Sequence, residues 1–225
     1  MPYGTLSRDI MGRTIKTGDI VLKIHPLVYE PAEDSILLMD NLVDVRGKKV
    51  LDMGTGTGIQ AINAVKKGCD VAVGIDINPY AVELSRENAK LNGLEVGKEI
   101  FFFHGDLFKG IDRIMEEISI DKFDVVLFNA PYLPTSQEER LEDCINYAFD
   151  GGVDGRKVLD KFISEVGKYL NEDGVIQIVQ SSLTGEKRTF DMLKRYGFKG
   201  EKTASIRFFY EEIQLITAER IRELL

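Results

Sequence analysis

The stretch Lys49-Val50-Leu51-Asp52-Met53-Gly54-Thr55-Gly56-Thr57-Gly58 constrains this chain more than any other. An apolar run breaks into glycines at alternate positions, and Ile59, Ala61, Ile62 and Val65 then continue at helical spacing towards Gly68. Strand, glycine loop and helix in that order form the first βα turn of a doubly wound α/β fold, where small residues let the backbone approach a ligand closely. The spacing also separates ligands. A dinucleotide fingerprint needs glycine or alanine where Ile59 stands, and the Lys-Ser/Thr pair of a phosphate-gripping P-loop is absent.

Strands and helices keep alternating downstream. Asp70–Ile77 reads as a strand, with Asn78 as helix cap and Pro79 as first helical residue. Asp76 lies at its end, 22 residues after Gly54, where an acid can accept hydrogen bonds from ribose hydroxyls. A cofactor that contains a nucleoside is therefore expected. The next strand, residues 100–103, ends in His104-Gly105-Asp106-Leu107. Asp106 there can accept from an adenine amino group, and His104 reads as structural. Residues 109–120 carry Ile111, Ile114, Met115 and Ile118 at helical spacing.

Asp124-Val125-Val126-Leu127-Phe128 then reads as a strand buried on both faces, and it ends abruptly in Asn129-Ala130-Pro131-Tyr132. Ligands of open α/β sheets bind at the carboxyl ends of strands. This end delivers an amide, a backbone carbonyl and an aromatic ring to one point, although a strand followed by a proline turn would look the same. Ahead of the glycine loop, Pro31 with Glu33 and Asp34 marks a helix start, with Ile36, Leu37, Val43 and Val45 as its apolar face. The two acids are either ordinary first-turn residues or neighbours of a cationic ligand.

The termini of the pattern are plainer. Asp19–Ile24 reads as a strand within an N-terminal extension, residues 1–30, leaving 31–225 as one domain. Residues 133–156 form a long connection with an acidic cluster, Glu138, Glu139, Glu142 and Asp143, read as a solvated helix face or a lid. Helix, strand (Val175–Val179) and helix to Gly197 follow, then two strands near 205–209 and 212–217 that pair as an antiparallel hairpin. The formal charge of −8 argues against a phosphate-gripping surface. No apolar run reaches membrane-spanning length and no signal-peptide core is seen, while Cys69 and Cys144 lack metal-ligand spacing. A cytoplasmic protein without membrane partners or a bound metal is expected.

With Asn129-Ala130-Pro131-Tyr132 in place, the chain from about residue 28 onwards resembles the HemK family of protein-glutamine N5-methyltransferases, within the class I S-adenosylmethionine-dependent methyltransferases. Tyr29-Glu30-Pro31-Ala32-Glu33-Asp34-Ser35 and Asp150-Gly151-Gly152-Val153-Asp154-Gly155 look like its archaeal and eukaryotic branch. The resemblance implies a mostly parallel seven-stranded sheet closed by an antiparallel hairpin. It implies S-adenosylmethionine as cofactor and, as substrate, the glutamine of the Gly-Gly-Gln motif in a translation release factor. Asn129, Ala130, Pro131 and Tyr132 form the expected catalytic set. Glu33, Asp52, Gly54, Thr55, Gly56, Gly58, Asp76, Ile77, Asp106, Leu107 and Asn129 form the expected cofactor-binding set.

The chemistry accounts for those residue types. An amide nitrogen is a weak nucleophile because its lone pair is delocalised into the carbonyl. The sulfonium methyl is already electrophilic, so position and orientation carry the catalysis. Two acceptors, Asn129 Oδ1 and the Ala130 carbonyl, suit the two N–H groups of a target amide. They equally suit an adenine amino group, and a lysine substrate or a silent scaffold that keeps the fold stays open. Two departures from the family pattern are present. Ala130 replaces the usual proline, losing its fixed φ, and with only about 30 residues ahead of the core in the sequence the separate helical N-terminal domain of bacterial members is not expected. The branch also implies a small zinc-binding activator protein that adds a strand to the sheet edge, here at residues 99–104, where Phe101, Phe102 and Phe103 sit on a strand without proline.

Overall fold

The apolar β-branched runs become strands and the 3.6-periodic stretches between them become helices. The computed structural model describes residues 13–132 and 154–221. In chain order the elements are β1 (Thr14–Thr17), β2 (Ile20–Lys23), α1 (Glu33–Asp40), β3 (Lys49–Met53), α2 (Ile59–Lys66), β4 (Val71–Asp76), α3 (Pro79–Leu91), β5 (Ile100–His104), α4 (Ile111–Glu117) and β6 (Phe123–Asn129). They continue with α5 (Lys157–Val166), β7 (Leu170–Ser181), α6 (Glu186–Arg195), β8 (Phe198–Arg207) and β9 (Glu212–Arg220).

Seven strands form one sheet in the order β5-β4-β3-β6-β7-β9-β8. β3 to β7 run parallel, and β9 is antiparallel to both β7 and β8, the expected closing hairpin. From β3 the chain winds outwards through β4 to β5, then returns to lay β6 on the other side of β3. That reversal opens a crevice at the carboxyl ends of β3 and β6, where open α/β sheets bind ligands.

Strand alternation divides the core between the two faces. Leu51, Met53, Val126 and Phe128 pack on one side with α4 and α5, while Val50, Val125 and Leu127 pack on the other with α1 and α2. Burying a side chain the size of Phe128 contributes about 1.5–3 kcal/mol. Gly74 in β4 lets neighbouring layers close: a Cβ there would lie 2.5 Å from Phe102 Cδ1 and 2.7 Å from Thr55 Oγ1.

Residues 14–23 form a separate two-stranded hairpin, β1–β2. Its free edge is paired by asparagines. Val21 N donates to Asn92 Oδ1 (3.0 Å) and Lys23 N to Asn88 Oδ1 (2.7 Å), while the two side-chain amides return bonds to the carbonyls of Val21 and Lys23. Asn88 on α3 and Asn92, the cap that ends it, are four residues apart and lie one above the other, so their amides stand in for a strand.

Three boundaries differ from the sequence reading. Val43 and Val45 lie beyond the end of α1, although Val45 is still buried in the core. β7 begins at Leu170, not Val175, running through Asn171-Glu172-Asp173-Gly174, whose composition reads as a turn. Gly174 is packed tightly there, since a Cβ would fall 2.5 Å from Leu170 Cγ. β8 begins at Phe198 rather than Ser205 because pairing with β9 overrides a polar, exposed stretch. The acidic cluster of residues 138–143 lies outside the described residues.

Candidate active site

A cavity of about 460 Å³ opens at the carboxyl ends of β3, β4, β5 and β6. It gathers Asp52, Gly54, Thr55 and Gly56 from β3 and its loop, Asp76 and Ile77 from the end of β4 and just after it, and Asp106 and Leu107 from the loop after β5. Asn129, Ala130, Pro131 and Tyr132, at the end of the neighbouring strand β6, line it as well. Two of the expected residues are elsewhere. Glu33 is exposed and does not line the cavity. Gly58 lies beneath it, with φ +84° and a would-be Cβ 2.9 Å from Ser85 Cβ, so its lack of a side chain serves the close approach of α2 to α3.

The acid at the end of β4 organises the glycine loop. Asp76 Oδ2 accepts from Gly56 N (2.8 Å) and Oδ1 from Asn78 N (2.8 Å), while Gly54 N and Thr55 N both donate to the Ile75 carbonyl. Burial pushes the Asp76 carboxyl above its ordinary range, and the backbone donors oppose that rise. Asp52 is deeper. It accepts from Thr55 Oγ1 (2.6 Å) and Ala61 N (3.2 Å), and burial, partly offset by these bonds, pushes its carboxyl up to about 7. Asp106 is exposed and pairs with Lys161 at 3.4 Å, while His104 Nε2 is bonded to the Ile77 carbonyl, a structural contact.

Two polar atoms of this wall are buried without a hydrogen-bond partner among the described residues, Thr57 Oγ1 and Gln60 Oε1. Gln60 Nε2 is committed to the Ser35 carbonyl at 2.7 Å, which leaves the oxygen turned away from that bond. A cavity with glycine backbone, a ribose-competent acid and polar atoms unsatisfied among the described residues fits a nucleoside cofactor with a polar amino-acid tail.

The Asn129 part of the cavity is built around Asp34, which is buried at 5% exposure. Its carboxylate accepts from Tyr29 Oη (3.0 Å to each oxygen), Tyr132 Oη (3.1 Å), Asn129 Nδ2 (3.1 Å), and Ser35 N and Oγ (2.6 and 3.1 Å). Both Asp34 oxygens act as acceptors, so Asn129 presents Nδ2 to them and turns Oδ1 the other way. Asn129 Oδ1 is buried and has no partner among the described residues. Burial and the Asp34 carboxylate both drive the phenols of Tyr29 and Tyr132 up from their ordinary value, so both remain hydroxyl donors.

Reasoning from sequence named Asp34 as a possible neighbour of a ligand but missed its part in orienting Asn129, 95 residues away. Tyr29 and Ser35 were visible within the Tyr29–Ser35 stretch. Glu211, which lines the cavity from the turn before β9, had no signal in the sequence.

This sheet order, with a glycine loop after β3, an acid ending β4 and Asn129-Ala130-Pro131-Tyr132 ending β6, defines a class I S-adenosylmethionine-dependent methyltransferase. Residues 32–130 match the family model of ribosomal protein L11 methyltransferase (PrmA). A Methanocaldococcus jannaschii protein named as a protein N5-glutamine methyltransferase is 53% identical over 92% of this chain and 99% of its own length. Human methyltransferase HEMK2 is 31% identical over 79% of this chain and 83% of its own. In the solved E. cuniculi Mtq2–Trm112 complex, responsible for the methylation of the eRF1 translation termination factor, one chain superposes with a TM-score of 0.64 at 26% identity. That match covers 86% of this chain and 99% of the other. The chain belongs to the protein N5-glutamine methyltransferases of the HemK family.

Proposed function

We propose that this enzyme transfers a methyl group from S-adenosylmethionine to the side-chain amide nitrogen of a glutamine in a translation release factor, at its Gly-Gly-Gln motif. The observation that carries the reading is Asn129 Oδ1, a buried acceptor without a partner among the described residues, whose amide is fixed by Asp34. Oδ1 takes one N–H of the target amide and the Ala130 carbonyl takes the other. Both acceptors favour the positive charge that develops on the nitrogen as it attacks, and they cost no reorganisation at that moment. Tyr132, its hydroxyl anchored on Asp34, presents its ring to the planar target. Bound S-adenosylmethionine supplies the electrophilic methyl group.

In this reading Gly54 and Gly56 admit the cofactor to the backbone, Asp76 receives its ribose, and Asp106, Ile77 and Leu107 surround its base. Asp52 and Gly58 act from beneath by holding the loop. The methyl group should be found by tandem mass spectrometry on the release-factor glutamine after incubation with labelled cofactor. Label on adenine N6 of nucleic acid, or on lysine, would overturn the reading; the −8 charge weighs against the first.

Asp76→Ala is expected to weaken S-adenosylmethionine by about 1–3 kcal/mol, the range for lost hydrogen bonds to a charged group. Since Asp76 also holds Gly56 N, loss of order in the glycine loop contributes to that figure. Unchanged affinity by calorimetry would remove Asp76 from the site.

We further propose a small zinc-binding activator protein at the sheet edge formed by β5. Several features support this. β5 is an outermost strand of the sheet, and Phe101 and Phe103 are half-buried on one face with parallel rings 6.4 Å apart. Arg86 caps the Phe102 carbonyl at 2.5 Å, so edge pairing would have to accommodate that side chain. Hydrogen exchange at residues 99–104 is expected to be fast in the isolated chain and slow in the heterodimer. Strong protection in an active monomer would exclude a partner there. Among the described residues no helix is long and apolar enough to cross a membrane, and the cytoplasm, where translation ends, is the compartment this function requires.

A further inference from the structure

The turn between β8 and β9 does not use turn-forming residues. Phe208 N donates to the Glu211 carbonyl at 2.8 Å, which closes a two-residue hairpin loop on Phe209 and Tyr210. Such loops favour asparagine, aspartate and glycine. Here both central residues are large aromatics, and neither has the positive φ of the preferred turns. Phe209 is 90% and Tyr210 86% exposed, with their rings edge to face at 4.6 Å. Phe208 and, on the adjoining Ser182–Thr184 turn, Leu183 are exposed as well. The two turns are tied by the bond from Glu212 N to Ser182 Oγ (3.0 Å). Neither folding nor turn geometry accounts for this apolar surface.

Register places it beyond the same end of the sheet as the site, to one side of it. Asn129 is level with Val179, and Val179 with Leu215. Glu212 therefore stands three residues, about 10 Å, beyond the level of Asn129, and β9 is two strands, about 10 Å, to its side. Glu211 joins turn to cavity: its side chain lines the wall and accepts from Ser181 Oγ at 2.7 Å, and among the described residues no cation pairs with it. Glu211 thus links these exposed rings to the cavity in which a target side chain would meet Asn129.

We propose that residues 208–211, with Leu183, dock the protein loop that flanks the target glutamine. Phe209 and Tyr210 cover its apolar surface, and Glu211 receives a cation or backbone N–H from it. The inference rests on the protein-glutamine reading and adds a substrate-positioning element to it. Glu211 disfavours a nucleic-acid strand, whose phosphates it would repel, although aromatic rings could stack on bases.

The test compares the full-length enzyme with the Phe209→Ser/Tyr210→Ser double variant and with Glu211→Gln, using intact release factor and a short free Gly-Gly-Gln peptide as substrates. Both changes are expected to raise KM for the release factor at least about tenfold, as for aromatic anchors at an interface. The double variant should keep wild-type affinity for S-adenosylmethionine, wild-type thermal unfolding and wild-type turnover of the peptide, which is too short to reach the turn. Wild-type KM for the release factor in the double variant would overturn the proposal. So would an equal loss on the peptide, dissolution of a wild-type dimer in sedimentation, or competition by RNA that the double variant abolishes. If wild-type enzyme leaves the release factor unmethylated both alone and together with the proposed activator protein, the protein-glutamine reading itself fails, a result distinct from each of these.

Discussion

Asn129→Ala is expected to lower methyl transfer by about 10²–10³, the usual loss when one preorganised hydrogen-bonding group leaves a reaction centre. Cofactor affinity should change little, because in this reading the glycine loop and Asp76 hold the cofactor and neither is hydrogen-bonded to the Asn129 side chain. The fold should also survive: Asp34 keeps its bonds from Tyr29, Tyr132 and Ser35 when the Asn129 amide is gone. The effect therefore belongs to the acceptor Oδ1, and single-turnover kinetics at saturating cofactor isolate it. Near-normal single-turnover rates would remove Asn129 from the chemistry.

Asp34→Ala should damage both stability and catalysis. It takes away a buried acceptor that serves two phenols, one amide, one hydroxyl and one backbone N–H. Leaving such groups unpaired costs about 2–4 kcal/mol of folding stability, readable as a lower midpoint in denaturant. Turnover should fall about 10²-fold, since the Asn129 amide loses its orientation and small misplacements of a positioned group are expensive. Asp34→Asn separates the two consequences. It keeps the shape, so much of the stability should return. Its amide, however, can donate as well as accept, so Asn129 is free to flip and present Nδ2 to the cavity, and turnover should stay low. An Asp34→Asn enzyme with wild-type turnover would show that the carboxylate does not set the direction of Asn129.

How much of this could be read beforehand depends on the reach of each interaction. The glycine loop, Asp76 and the end of β6 are local patterns, each fixed by a strand terminus and the residues just after it, and all of them line the cavity. The antiparallel hairpin was also visible, because β8 and β9 are separated by a short turn. Asp34 was harder. Glu33 and Asp34 are adjacent acids in the first turn of α1, and sequence does not say which of them faces the sheet. Packing decides it: Glu33 points to solvent and Asp34 into the cavity wall. The N-terminal hairpin edge, paired by Asn88 and Asn92 of α3, is a tertiary substitution of side-chain amides for a strand, which no periodicity reveals. The start of β8 was missed for a related reason, since its exposed polar residues are held by their β9 partners and not by a buried face.

The central claim is that a fixed amide oxygen and a backbone carbonyl at the end of β6 engage the nitrogen to be methylated. A structure of the enzyme with S-adenosylhomocysteine and a Gly-Gly-Gln peptide measures this directly. The predicted result is the peptide glutamine Nε2 within hydrogen-bond distance of both Asn129 Oδ1 and the Ala130 carbonyl, with Asn129 Nδ2 still on Asp34. A glutamine nitrogen bound elsewhere in the cavity, or an Asn129 amide turned so that Nδ2 faces the peptide, would contradict the account.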